Sequence, residues 1–83
     1  MFVPLEGPQY PSNAFQFRDR QIRFTYRMNV ATGRVGGVDI DAKLQDEEGE
    51  ERLFTLRGDW PSREEALESA QGWTVKYFDR IQE

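Results

Sequence analysis

Eighty-three residues, 37% of them apolar, make a chain for one domain, with 15 acidic against 11 basic side chains and a formal net charge of -4. The absence of both His and Cys excludes imidazole bases, thiolate nucleophiles, disulfides and Cys/His metal cages, so the fold must rest on packing alone. The acidic balance disfavours a purely electrostatic hold on nucleic acid or on an anionic membrane.

The opening segment, residues 1–13, carries Pro4, Gly7, Pro8 and Pro11. That density forbids a helix or a central strand, so it reads as an extended arm ahead of a single α+β domain over residues 14–83. Phe2, Val3 and Leu5 give the arm something to pack with. Alternation then begins at Phe15 and Phe17 and resumes after the polar turn at Arg18-Asp19-Arg20. Ile22, Phe24, Tyr26 and Met28 recur at every second position with Arg23, Thr25, Arg27 and Asn29 between them, which is the period of a half-buried strand. Thr32-Gly33 marks a turn, and Gly36-Gly37 a bend or bulge at the next strand entry. Val38, Ile40, Ala42 and Leu44 alternate against Asp39, Asp41 and Lys43. The acidic stretch from Asp46 to Glu51, centred on Gly49, reads as a loop, and Arg52 to Arg57 as the last strand.

Both long strands bury even-numbered residues, so partners across strands must share parity. A three-residue loop around Gly33 places Arg27 opposite Asp39 and Thr25 opposite Asp41. A similar loop around Gly49 places Asp46 opposite Arg52, Asp41 opposite Arg57 and Leu44 opposite Phe54. One face is then apolar and the other an Arg/Asp lattice. Trp60-Pro61 ends the strands, and Ser62-Arg63-Glu64-Glu65 is a capping box. Ala66, Leu67, Ala70, Trp73, Thr74, Tyr77, Phe78 and Ile81 follow at helical spacing. Gly72 interrupts that helix, which suggests room for a neighbouring aromatic ring or for close approach to the sheet. The expected fold is α+β: an antiparallel three- to four-stranded meander with one C-terminal amphipathic helix on one face.

The residues offer little catalytic chemistry. Ser62 is accounted for as a cap, and nothing local argues that Lys43 or Lys76 is desolvated. An EF-hand loop fails at both acidic clusters: from Asp39 the fifth and sixth positions are Lys43 and Leu44, and from Asp46 the glycine falls fourth. Gly33-Arg34-Val35-Gly36-Gly37 fits neither a dinucleotide fingerprint nor a P-loop. No enzyme activity, cofactor or metal is therefore expected. Arg23, Arg27, Arg52 and Arg57 on the polar sheet face are candidate contacts to a partner, and Trp60 and Tyr10 are candidate exposed anchors. No apolar run approaches the roughly 18–20 residues of a bilayer span, and no charged-then-apolar leader opens the chain, so a cytoplasmic location without membrane contact is expected.

The strand order followed by Pro61-Ser62-Arg63-Glu64-Glu65-Ala66 resembles small uncharacterised bacterial and phage-borne proteins with a βββα plan, over about residues 15–82. That resemblance implies the fold and carries no shared activity. The meander-plus-helix half also looks like part of a double-stranded-RNA-binding domain, although the first helix of that family is missing and the last helix here opens acidic. The expectation is a non-enzymatic protein-interaction or regulatory accessory protein, monomeric or weakly dimeric through an exposed sheet edge. The alternative is a nucleic-acid-binding module that uses the outer-face arginines.

Overall fold

The computed structural model describes residues 1–44 and 48–81. They form β1 (Phe2–Pro4), β2 (Ala14–Phe17), β3 (Arg20–Asn29), β4 (Arg34–Leu44), β5 (Glu51–Trp60) and α1 (Arg63–Ile81). The strands lie side by side in chain order, every neighbouring pair antiparallel. Helix α1 packs on one face of this meander, over β3, β4 and β5. The α+β plan read from the sequence is present, with five strands instead of three or four. The extra strand comes from the arm: Phe2 lies flat on Phe17 with ring centroids 4.4 Å apart, and the Leu5 N–H donates to the Ala14 carbonyl at 2.9 Å. Pro4 is tolerated because β1 is an edge strand.

Parity sorts the two faces as expected. Ile22, Phe24, Val38, Ile40 and Ala42 are buried on the helix side, together with Phe17, Val35 and Phe78. The register differs from the expected one. Thr25 pairs with Asp39, Arg23 with Asp41 and Arg27 with Gly37, a displacement of two residues that leaves the faces unchanged. Its cause is an earlier hairpin, closed at Asn29 and Arg34 around four residues. The Asn29 carbonyl accepts from Gly33 N–H at 2.7 Å, and Gly33 takes a φ of 73°. An irregularity at Gly36 then restores even parity on β4.

On the other side Asp41 pairs with Arg52, Ile40 with Phe54 and Gly37 with Arg57. The connection after Leu44 is longer than a three-residue loop, and this moves every expected β4–β5 pair; Asp46, expected opposite Arg52, lies outside the described residues. Strand β5 is irregular twice, at Leu53 and near Gly58. Such kinks, like the brevity of β1, make a sheet edge a poor template for another strand.

Helix α1 starts where its cap dictates. The Ser62 hydroxyl oxygen accepts from the Glu65 N–H at 3.2 Å, and the hydroxyl donates to the Glu65 carboxylate at 3.4 Å. Ala66, Ala70 and Thr74 are fully buried, and these small side chains let the helix backbone approach the sheet. The Thr74 hydroxyl donates to the Ala70 carbonyl at 2.8 Å, which satisfies it inside the core. Phe78 meets Phe17 at 5.8 Å, while Arg20 lies over the Phe78 ring and Arg18 pairs with Asp79, so the β2–β3 turn is fastened to the last turns of the helix. Met28, Leu44 and Ile81, expected on the apolar faces, are exposed because they lie at element ends beyond the core.

Gly72 does not serve the expected purpose. A Cβ there would meet nothing within 4 Å. Gly72→Ala should therefore raise stability by about 0.5–1 kcal/mol in urea unfolding, because it removes a helix-interior glycine without a clash. Gly58 is the opposite case: a Cβ would lie 2.6 Å from the Trp60 ring. Gly58→Ala should displace that indole and lower stability by about 1–3 kcal/mol, with a changed near-ultraviolet circular dichroism spectrum.

Candidate functional site

The face of the sheet opposite α1 carries three rows of polar side chains across β3, β4 and β5. Arg27, Gly37 and Arg57 form one row, Thr25, Asp39 and Thr55 the next, and Arg23, Asp41 and Arg52 the third. Four arginines thus stand at the corners of a frame about 10 Å across and about 13 Å along the strands. Gly37 leaves space in the first row: a Cβ there would be 3.4 Å from the Arg27 Cδ, so the Arg27 stem lies over the glycine.

The two aspartates occupy the middle of the frame and are sunk beneath the arginines, at 5% and 4% exposure for Asp39 and Asp41. One Asp39 oxygen accepts from Arg27 Nε at 2.9 Å and from the Thr55 hydroxyl at 2.7 Å, with Arg52 Nη1 at 3.4 Å. Asp41 Oδ1 accepts from Arg52 Nε at 2.6 Å. Its Oδ2 is buried without a hydrogen bond, 3.8 Å from Arg23 Nη2. Arg23 spends its fork on Glu50, with contacts of 2.9 Å from Nε and 2.6 Å from Nη2.

Burial alone would raise the Asp39 carboxyl, but the hydrogen bonds from Arg27 and Thr55 and the Arg52 charge outweigh it and hold the group below its usual value. The Glu50 hydrogen bonds raise the Arg23 guanidinium, and the Asp41 bond raises that of Arg52. The side chains of Arg27 and Arg52 stay 60% and 48% accessible while held by the Asp39 and Asp41 carboxylates. Arg57 forms no ion pair among the described residues, and the expected Arg57–Asp41 pair is absent because Asp41 faces Arg52. Chemically the face can grip carboxylates or phosphates with guanidinium donors. Among the described residues no group of three acids, histidines or cysteines is placed to hold a metal ion.

The six residues singled out from sequence do not share one surface, although Arg52 joins the other three arginines on the outer face. Arg23, Arg27 and Arg57 stand together on the outer face. Trp60 lies on the helix side, half-buried against the core, with its indole N–H donating to the Ser69 hydroxyl at 3.0 Å. Tyr10 is half-buried and closes the turn that begins at Gly7. Sequence reasoning overlooked a stack of Phe54, Trp73 and Tyr77 along the flank of α1, because helical period and strand parity assigned all three to the core. The meander read from the sequence already makes this last strand an edge, but apolar period does not show that the edge leaves the stack open on one side.

Compared with known protein families, curated proteins and solved structures, the chain matches none. No helix among the described residues is long and apolar enough to cross a membrane.

The Asp39 environment gives a pH dependence with a definite sign. A carboxyl held below its unfolded value near 3.8 adds stability that is complete above that pH. This contribution is lost as pH falls below about 4 and through the lower folded value, because the unfolded chain then binds the proton more readily. Asp39→Asn should lower stability near neutrality by about 1–3 kcal/mol and flatten the acid limb below pH about 4. Urea unfolding measured at a series of pH values tests both effects.

Proposed function

We propose that this protein is a small non-catalytic binding module that engages a partner protein through the outer face of its sheet. It would act as an accessory or regulatory component of the kind encoded by bacteria and their phages, in the cytoplasm. The supporting observation is the frame itself. Two carboxylates buried at its centre fix the guanidiniums of Arg27 and Arg52, whose side chains remain about half accessible. Side chains already held in place lose little freedom on binding, and arginine is enriched among residues that dominate interface energetics.

A nucleic-acid role is the second reading, favoured by Arg57, which lacks an ion-pair partner among the described residues on the same face. Against it, Asp39 and Asp41 place negative charge beneath the phosphates such a ligand would bring. The aromatic rings that a sheet-surface RNA reader would stack on bases are turned to the helix side or the edge.

Two experiments separate these readings. Pull-down from native lysate should recover a protein with the wild type, and Arg27→Gln/Arg57→Glu should weaken that complex by about tenfold or more while the fold is retained. Amide shift mapping with short DNA and RNA duplexes should leave β3, β4 and β5 unmoved. Salt-sensitive shifts clustered on Arg23, Arg27, Arg52 and Arg57 would replace the first reading with the second.

A further inference from the structure

A second surface lies on the flank of α1 beside edge strand β5, away from the arginine frame. Phe54 lies flat on Trp73, with centroids 4.7 Å apart and planes within 7°, and Trp73 lies flat on Tyr77 at 5.1 Å and 14°. Phe54 is 42% exposed, and Trp73 and Tyr77 are half-buried. Lys76 and Arg80 stand one helical turn apart and, with Trp73 and Tyr77, line a hollow of about 90 Å³. That is the volume of about three waters.

Charge pairing distinguishes these two cations from most others in the chain. Arg18, Arg20, Arg23, Arg27, Arg34 and Arg52 each face a carboxylate. Lys76 and Arg80 form no ion pair among the described residues. Their place near the end of the helix suits the dipole, but the dipole does not account for the open aromatic stack beside them. Cations without an ion pair among the described residues, set against apolar rings, select an anionic ligand that also carries an apolar body.

The stacking decides between ligand classes. Phe54 and Tyr77 both lie flat against the Trp73 indole, so much of its ring surface is taken up by its own neighbours and little open face is left there for a nucleobase. Single-stranded nucleic-acid binders depend on such open faces. Ring edges bordering a small hollow suit an aliphatic side chain instead.

We infer that this flank docks an acidic peptide segment of a partner protein, with an aliphatic anchor in the hollow bordered by Trp73, Lys76, Tyr77 and Arg80 and flanking carboxylates on Lys76 and Arg80. This shares with the proposed function only the premise of a protein partner, and it uses no residue of the outer sheet face. The test is a titration of the isotope-labelled full chain with three probes. One is a short synthetic peptide of two leucines flanked by aspartates and glutamates, the second replaces every acid with lysine, and the third is a single strand of oligothymidine.

Only the acidic peptide should move the amide signals of Phe54, Trp73, Lys76, Tyr77 and Arg80. Lys76→Gln/Arg80→Gln should weaken its binding by about tenfold with an unchanged circular dichroism spectrum. The charge-keeping pair Lys76→Arg/Arg80→Lys should bind like the wild type. Arg57→Glu on the outer face should leave the affinity within about twofold, so failure of the proposed function and failure of this inference are separable. Silence of those five amides at millimolar acidic peptide, equal binding of the lysine peptide, or tighter binding of oligothymidine would each overturn the inference.

Discussion

Strand β4 carries two opposite demands on alternate residues. Val38, Ile40 and Ala42 must leave water beneath the helix, while Asp39 and Asp41 must stay on the other side of the same strand. A slip by one residue would drive both carboxylates into the apolar layer under Ala66, Ala70 and Phe78, away from the guanidiniums of Arg23, Arg27 and Arg52. This mutual exclusion fixes which face is which, and the rest of the sheet is assembled around it. The small residues of α1 add a constraint of distance, since Ala66 and Ala70 bring the helix backbone close enough to cover β4.

The arginine frame has a different physical character from the core. At Asp39 the hydrogen bonds and the Arg52 charge outweigh the cost of burial, whereas Asp41 keeps one buried oxygen without a hydrogen bond, so the frame as a whole specifies arrangement more than it adds stability. The unsatisfied Oδ2 of Asp41 shows where compensation is incomplete: Arg23 lies nearby but gives its best geometry to Glu50. An arrangement with this energetic profile keeps guanidiniums oriented at a surface. It would be a poor choice if stability alone were at stake, because a well-packed apolar cover would do better there.

Much of the fold could be read from the chain because its signals are local. The alternation from Ile22 to Met28 and from Val38 to Leu44, and the cap at Ser62 and Glu65, each depend on residues within a turn or a strand of one another. Register was less legible because it depends on loop closure and on bulges. The hairpin closes at Asn29 and Arg34, and the irregularity at Gly36 moves later pairs again. The cluster of Arg23, Arg27 and Arg57 on one face followed from parity alone and therefore survived the change of register. Trp60 could not be placed that way, since its half-burial depends on Gly58 leaving room for the ring and on Ser69 one helix away. The Phe54, Trp73 and Tyr77 stack was hidden for a related reason: apolar period marks a side as greasy without telling whether the cover extends to its margin.

The sheet itself offers little for main-chain pairing with another molecule. The inner face of the sheet is occupied by α1. The β1 edge is three residues long and includes Pro4, and the β5 edge is broken at Leu53 and near Gly58, so neither presents a long straight ladder for a further strand. Main-chain pairing is thereby disfavoured as a mode of association, whether with a second copy or with an extended peptide. The two proposed modes of contact both rely on side chains instead, on the outer sheet face and on the flank of α1. These two surfaces differ in chemistry, since one offers guanidiniums braced by carboxylates and the other offers rings beside cations that form no ion pair among the described residues. A partner that used both would have to wrap around the β5 margin, where Arg52 on one side of the strand and Phe54 on the other are only two residues apart.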